Sequence, residues 1–386
     1  MKKLCSFTKS ILIPAAILLF YTVIAYRFST ATPIFNPYGS AAGGEVTFEK
    51  ASVVSVDAQN TNESGFVGIY TGSQSITVKL NSGAYRGQSF QIINALNYST
   101  NYLLKPGENI IVSVNTSTGD RSYVNVYLFT PDRISAIVVL LALFALALCT
   151  VGGRKGFHSI LGILFTLTTA LFVFIPSLMR GIPPLPSVLA LVTLTSCVTI
   201  FLISGVNFKS IAAISATILG VALSIVFMLI FAAAFHISGY TLSSSDALLN
   251  IAGQAPLKVK DLLFVGIIIA SLGAVMDIAI SVAAAMGEFH AINPQSTFSA
   301  LFTSGVKVGK EMMGTMVNTL ILAFLGANIV SFILTASYQI DFTQLFNSND
   351  TAEEILQSVC GGMAIVLTVP LTAFISAKLL TLRKDK

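Results

Sequence analysis

The chain has 386 residues, of which 54% are hydrophobic and only 10% charged, where a soluble domain carries about 25% charge. With a mean hydropathy of +0.81, it reads as an integral membrane protein and not as a soluble one. The net charge of +5 comes from cations beside apolar runs, a pattern of membrane topology rather than of nucleic-acid binding.

The first apolar run, Ser10–Tyr26, follows Lys2, Lys3 and Lys9. It ends on bulky residues without a small-x-small cleavage site, so residues 1–30 are expected to be an uncleaved anchor and not a signal peptide. Cys5 has no hydrophobic run ahead of it and is not placed as a lipoprotein cysteine. Residues 31–131 are polar. They hold five short runs rich in Val, Ile and aromatics ("ASVVSVDAQ", "SITVKL", "QSFQIINAL", "ENIIVSVNT", "SYVNVYLF"), separated by "TNESG", "NSGAYRG", "KPG" and "STGD". That spacing predicts a small all-β domain, a barrel or sandwich, with an OB-like barrel as the first choice. It contains no His, no Cys and no carboxylate pair at catalytic spacing, so a lid or docking module is expected there.

Residues 132–386 carry seven further runs long enough to span a bilayer, about 17 to 25 residues. They fall near Ile134–Val151, Ser159–Leu178, Ser187–Gly205, Ser210–Ile237, Asp261–Met286, Met312–Ser337 and Ile355–Leu380. The expected fold is a polytopic α-helical membrane protein of about eight spans, with the β domain between the first and second. With the N-terminus inside, the cytoplasmic loops hold Arg154, Lys155, Lys209, Lys307, Lys310, Arg383, Lys384 and Lys386, and the short outer loops hold Arg180, Lys258 and Lys260. The carboxylates Asp246, Asp341, Asp350, Glu353 and Glu354 fall outside. The positive-inside rule then places both termini in the cytoplasm and residues 27–133 outside.

One carboxylate interrupts an otherwise apolar span: Asp277, in "LGAVMDIAISVAAAMGEF" (272–289). A charge at the bilayer centre costs a few kcal/mol, so such a residue points into a bundle or cavity. Helical spacing puts Asp277 on one face with Gly266, Ala270, Gly273, Ser281 and Ala284, with Glu288 continuing the stripe. In the next span Glu311, Thr315 and Asn318 share a face beside Gly314. Antiparallel packing of the two helices predicts an Asp277–Asn318 contact. Between them Asn293–Pro294 is a stop and Ser296 an N-cap. A short interfacial or re-entrant helix is expected to lead through Gly305 and Gly309 into the membrane.

"LGAVMDIAISVAAAMGEF" together with "NPQSTFSALFTSGVKVGKEMMGTMVNTLILAFLGA" (293–327) resembles the YibE/F family of bacterial multi-pass membrane proteins. The resemblance implies an N-terminal anchor, an extracytoplasmic domain and a polytopic region, in the plasma membrane of a Gram-positive bacterium. It also implies a paralogous membrane protein as partner. Gly273, Asp277, Asn293, Pro294, Gly305, Gly309, Gly314, Thr315, Asn318 and Thr319 are the motif positions it supplies; no activity comes with it.

No HExxH, GxSxG or Walker A motif occurs. His158, His236 and His290 are scattered at helix ends and the cysteine spacings match no metal site. No enzyme activity, cofactor, nucleotide or metal is therefore expected. Two readings remain. One is a secondary transporter or exporter in which Asp277, with Ser281, Glu288, Glu311, Thr315 and Asn318 as candidate companions, couples to protons or cations. The other is a non-transporting subunit, scaffold or sensor held in a homo-oligomer or with a paralog, with Asp277 as an interhelical clamp.

Overall fold

The computed structural model describes every residue except 1, 31–43, 67, 99, 118–122, 238–247, 250–256, 260, 339–340 and 385–386. The expected positions of Asp246 and Lys260, and most of the "STGD" turn, lie outside the described residues. The chain divides into two compact units, Asn36–Leu146 and Met1–Phe35 with Ala147–Lys386.

In the first unit, alternation of apolar and polar residues builds five strands: β1 (Gly44–Glu63), β2 (Tyr70–Leu80), β3 (Ser89–Leu96), β4 (Asn109–Ser117) and β5 (Tyr123–Pro131). They form one antiparallel sheet in the order β3-β2-β1-β4-β5. β1 is the spine, pairing with β4 through Gly44–Ser52 and with β2 through Ala51–Glu63. Register shifts at Val53/Ser55 and Val56/Ala58 mark bulges, which increase strand twist and help the sheet coil. The edge strands β3 and β5 approach each other, yet no ladder joins them among the described residues. The expected small all-β domain is thus present as a five-stranded half-barrel.

Every second residue of β2 from Gln74 to Leu80 is buried, and Ile92, Asn94 and Leu96 face inward from β3. They meet Val53, Leu104, Ile110, Val112 and Val114 in one core. Two inward residues are polar, and they are hydrogen-bonded to each other. Gln74 Oε1 accepts from Asn94 Nδ2 at 2.9 Å and from the Leu104 amide at 3.0 Å. Asn94 Nδ2 also donates to the Tyr102 carbonyl at 2.9 Å. The pair thus ties the 102–104 segment to the sheet.

The second unit is helical. α1 covers Lys2–Thr30, α2 Ile134–Thr169, a π segment Ala170–Phe174, and α3 Ile175–Met179. Then follow α4 (Pro184–Ser204), α5 (Phe208–Ala234), α6 (Leu262–Ile292), α7 (Phe298–Ala327), α8 (Ile329–Ser337), α9 (Phe342–Asn347) and α10 (Asn349–Lys384). Two helices were expected within Ile134–Leu178, separated by "GGRKG". Two helices do meet there, across a sharp kink at Gly153, whose φ of 54° and ψ of −126° are open to glycine because it has no Cβ. Past the bend, Gly156 lies so close to the Leu148 carbonyl that a Cβ would collide with it.

The re-entrant helix and the span after it are one helix, α7. Its N-cap is Thr297, whose hydroxyl accepts from the Ala300 amide at 3.3 Å. Ser296 was expected in that place, but its hydroxyl donates backwards to the Asn293 carbonyl at 2.6 Å. The expected span to Ser337 breaks at Asn328, where α7 and α8 meet at 60°.

α10 is the central element. Leu356, Cys360, Ala364, Ile365, Val369, Ala373, Ala377 and Leu380 recur at helical spacing and are all buried, against α5, α6 and α7. Close approach is made by small residues: Gly220 faces Thr368, Gly305 faces Met286 and Ala373, and Gly309 faces Val369. α1 lies against the π segment region. The Tyr21 ring is 4.8 Å from that of Phe165, and its hydroxyl lies 3.0 Å from Thr169 Oγ1. Arg180 donates to the Phe28 carbonyl at 2.8 Å and stacks 3.7 Å above the Phe28 ring.

Among the described residues five helices are long and apolar enough to cross a membrane, or six if α7 and α8 form one span. The expectation of about eight differs in cutting the Ile134–Met179 run at its bend and in counting α1, whose apolar part is the shorter Pro14–Thr30.

Candidate functional site

α6 extends to Ile292, beyond the expected end at Met286, and this sets Asp277 midway between its ends. The side chain is exposed from the helix packing. It lies in a groove of about 360 Å³ bounded by α2, α4 and α6. Leu167, Leu191, Ile203, Ile269, Leu272 and Met276 supply apolar wall. Gly162 lies against Thr199, where α2 and α4 approach, and Gly273 leaves the groove open; a Cβ on Gly273 would meet nothing within 4 Å. The π segment begins at Ala170, also on the groove wall. Such bulges break the regular ladder and are frequent at functional positions.

The polar groups in the groove are few. Ser159, Thr166, Thr195 and Thr199, from α2 and α4, line the same groove as Asp277. Three of these hydroxyls give their hydrogens to their own helices: Ser159 to the Lys155 carbonyl at 2.9 Å, Thr166 to Gly162 at 3.0 Å and Thr195 to Leu191 at 2.7 Å. Thr199 Oγ1 is buried without a partner. Asp277 makes no hydrogen bond or ion pair among the described residues, and no basic residue lines the groove.

The other residues singled out by sequence are dispersed. Ser281 is half-buried one turn beyond Asp277 and does not line the groove. Glu288, exposed near the end of α6, is paired with Lys209 at 2.6 Å. Glu311, Gly314, Thr315, Asn318 and Thr319 form an exposed stripe along α7. Thr315 donates to Met312 at 2.8 Å and Thr319 to Thr315 at 2.9 Å. No hydrogen bond joins Asp277 to Asn318. α6 and α7 do pack together, but through Met286 and Gly305, which turns the Asn318 face outward. Asn293 ends α6 and Pro294 follows it in an exposed turn. Gly305 and Gly309 are buried in packing, whereas Gly314 is open.

The hydroxyls of α2 and α4 were missed. Thr195 and Thr199 stand four apart in an apolar span, a visible pattern, but nothing in it says that they share a groove with another helix's carboxylate. Among the described residues no group of three His, Cys, Asp or Glu is placed to hold a metal ion.

Apolar spans packed around a central helix, with a single carboxylate in a mid-helix groove, define a multi-helix membrane protein. The chain matches the family model of the YibE/F-like protein over residues 140–382. It belongs to the YibE/F family. No curated protein and no solved structure matches it.

Proposed function

We propose that the chain is a secondary transporter or exporter of the bacterial plasma membrane, with Asp277 as its proton- or cation-coupling group. The observation that carries this reading is an unpartnered carboxylate midway along a membrane helix, open to a groove between three helices. An intramembrane carboxylate is costly unless it is used or paired, and among the described residues Asp277 is not paired. The chain has no nucleotide motif, so its energy source is an ion gradient, and it acts without enzymatic chemistry or cofactor. Eight spans follow if the run at Gly153 crosses twice, α7 with α8 counts once, and α1 is an anchor. The termini are then cytoplasmic and residues 27–133 extracytoplasmic.

The test is reconstitution into liposomes with an internal pH dye and a solute panel. Wild type is expected to move protons with a solute, and Asp277→Asn to stay folded, since an amide keeps hydrogen-bonding capacity, while losing at least tenfold in flux. A fully active Asp277→Asn protein overturns the coupling role.

A second reading is favoured by α7. Its stripe of Glu311, Thr315 and Asn318 is exposed among the described residues, and amides in lipid seek a partner. On this reading the chain is a subunit or scaffold joined through that face to a second copy or to a paralogous membrane protein.

A further inference from the structure

We propose that the Asp277 groove takes a protonated amine with an apolar body. The inference rests on the transport reading of the same groove and names the class of solute. Three observations select it. First, among the described residues the groove has one negative charge and no lining Lys, Arg or His to neutralise it, so an anion is rejected and a single positive charge is balanced. Second, its about 360 Å³ is walled mainly by aliphatic side chains, the size and character of a small organic ligand site. A divalent cation would need several oxygen ligands to replace its water, and one carboxylate does not meet that need.

Third, three of the four groove hydroxyls are acceptors. Ser159, Thr166 and Thr195 have committed their hydrogens to helix carbonyls, so only their lone pairs face the groove. Carboxylate and hydroxyl lone pairs together match N–H donors. They distinguish an amine from a quaternary ammonium of equal charge, which has no N–H to give. A site built to hydrogen-bond its ligand discriminates strongly against analogues that leave its polar groups unpaired.

The chain contains no Trp, so a naphthyl probe can be read by fluorescence anisotropy without interference in the purified full-length protein. The probe is 1-naphthylmethylamine, with 1-naphthylmethanol as the neutral analogue, the N,N,N-trimethyl derivative as the quaternary one and 1-naphthylacetate as the anion. Wild type is expected to bind the amine saturably, with the alcohol, the quaternary cation and the anion each at least tenfold weaker. Asp277→Asn should weaken amine binding at least tenfold. Gly273→Leu, which fills the groove from a position with free space and keeps the carboxylate, should abolish it.

Amine binding equal to alcohol binding in wild type overturns the proposal without recourse to any variant. So does binding that persists in Gly273→Leu, which would report partition into detergent. Saturable amine binding with no flux in liposomes leaves the inference standing and removes the transport reading. Proton-coupled flux of another solute with no amine binding does the reverse.

Discussion

Single residues in this protein are legible by their hydrogen-bond accounts. On the outer face of the half-barrel, Asp57 accepts from Ser55 at 2.6 Å, Thr77 at 2.6 Å and Gln91 at 3.3 Å. These bonds, Ser55 first, hold its carboxyl below the usual range. A folded-state value below the unfolded one, about 3.9, means stabilisation present above that value and lost as pH falls through the folded one. Protection from hydrogen exchange over β1 and β2 should therefore fall off more steeply on acidification below about pH 4 in wild type than in Asp57→Asn; identical acid limbs would refute the assignment. Gln74 is the inward counterpart. Gln74→Leu strands the Leu104 amide and the Asn94 side chain, a cost of about 1–3 kcal/mol, read as lost protection in β2 and in the 102–104 segment of the full-length protein. Unchanged protection would mean that the pair is dispensable.

Elements are joined where side chains are absent. Gly309 leaves no room for a Cβ against Val369, whereas Gly314, little more than a turn along α7, has nothing within 4 Å. Gly309→Leu should lower thermal stability in detergent, by about 1–3 kcal/mol for an overpacked core, and Gly314→Leu should leave it unchanged. Equal effects would show that α7 does not pack as described. Period and composition foretold that α6 and α7 are amphipathic in small residues. They did not foretell that Gly305 and Gly309 are filled while Gly266, Gly273 and Gly314 stay open. Helical spacing says which residues share a face and is silent about which neighbour covers it. That is why Asp277 and Asn318, correctly placed on faces, were wrongly paired.

For the whole molecule, topology is the first test. A phosphatase fused after residue 100 should be active and one fused after Lys386 inactive; the opposite pattern rejects the orientation. The α7 stripe gives the second. With the four cysteines replaced by alanine, Asn318→Cys should cross-link two copies in native membranes if that face is a self-interface, while a cysteine at buried Ala373 should not. Absence of cross-linking at residue 318, with no membrane partner co-purifying, would argue against the subunit reading.

The sequence by itself determined the class, the apolar character of the helices, all five strands and the singular carboxylate. Each of these is a matter of composition or of a period along one element, and burial of apolar surface enforces them locally. Only the tertiary structure decided how sharply the chain kinks at Gly153 between its two helices, that α10 is the hub, and that Asp277 shares a groove with Thr166, Thr195 and Thr199. Those outcomes depend on which faces dock, and docking is settled by the fit of Gly220, Gly305 and Gly309 against Thr368, Met286 and Val369, contacts between residues far apart in the chain.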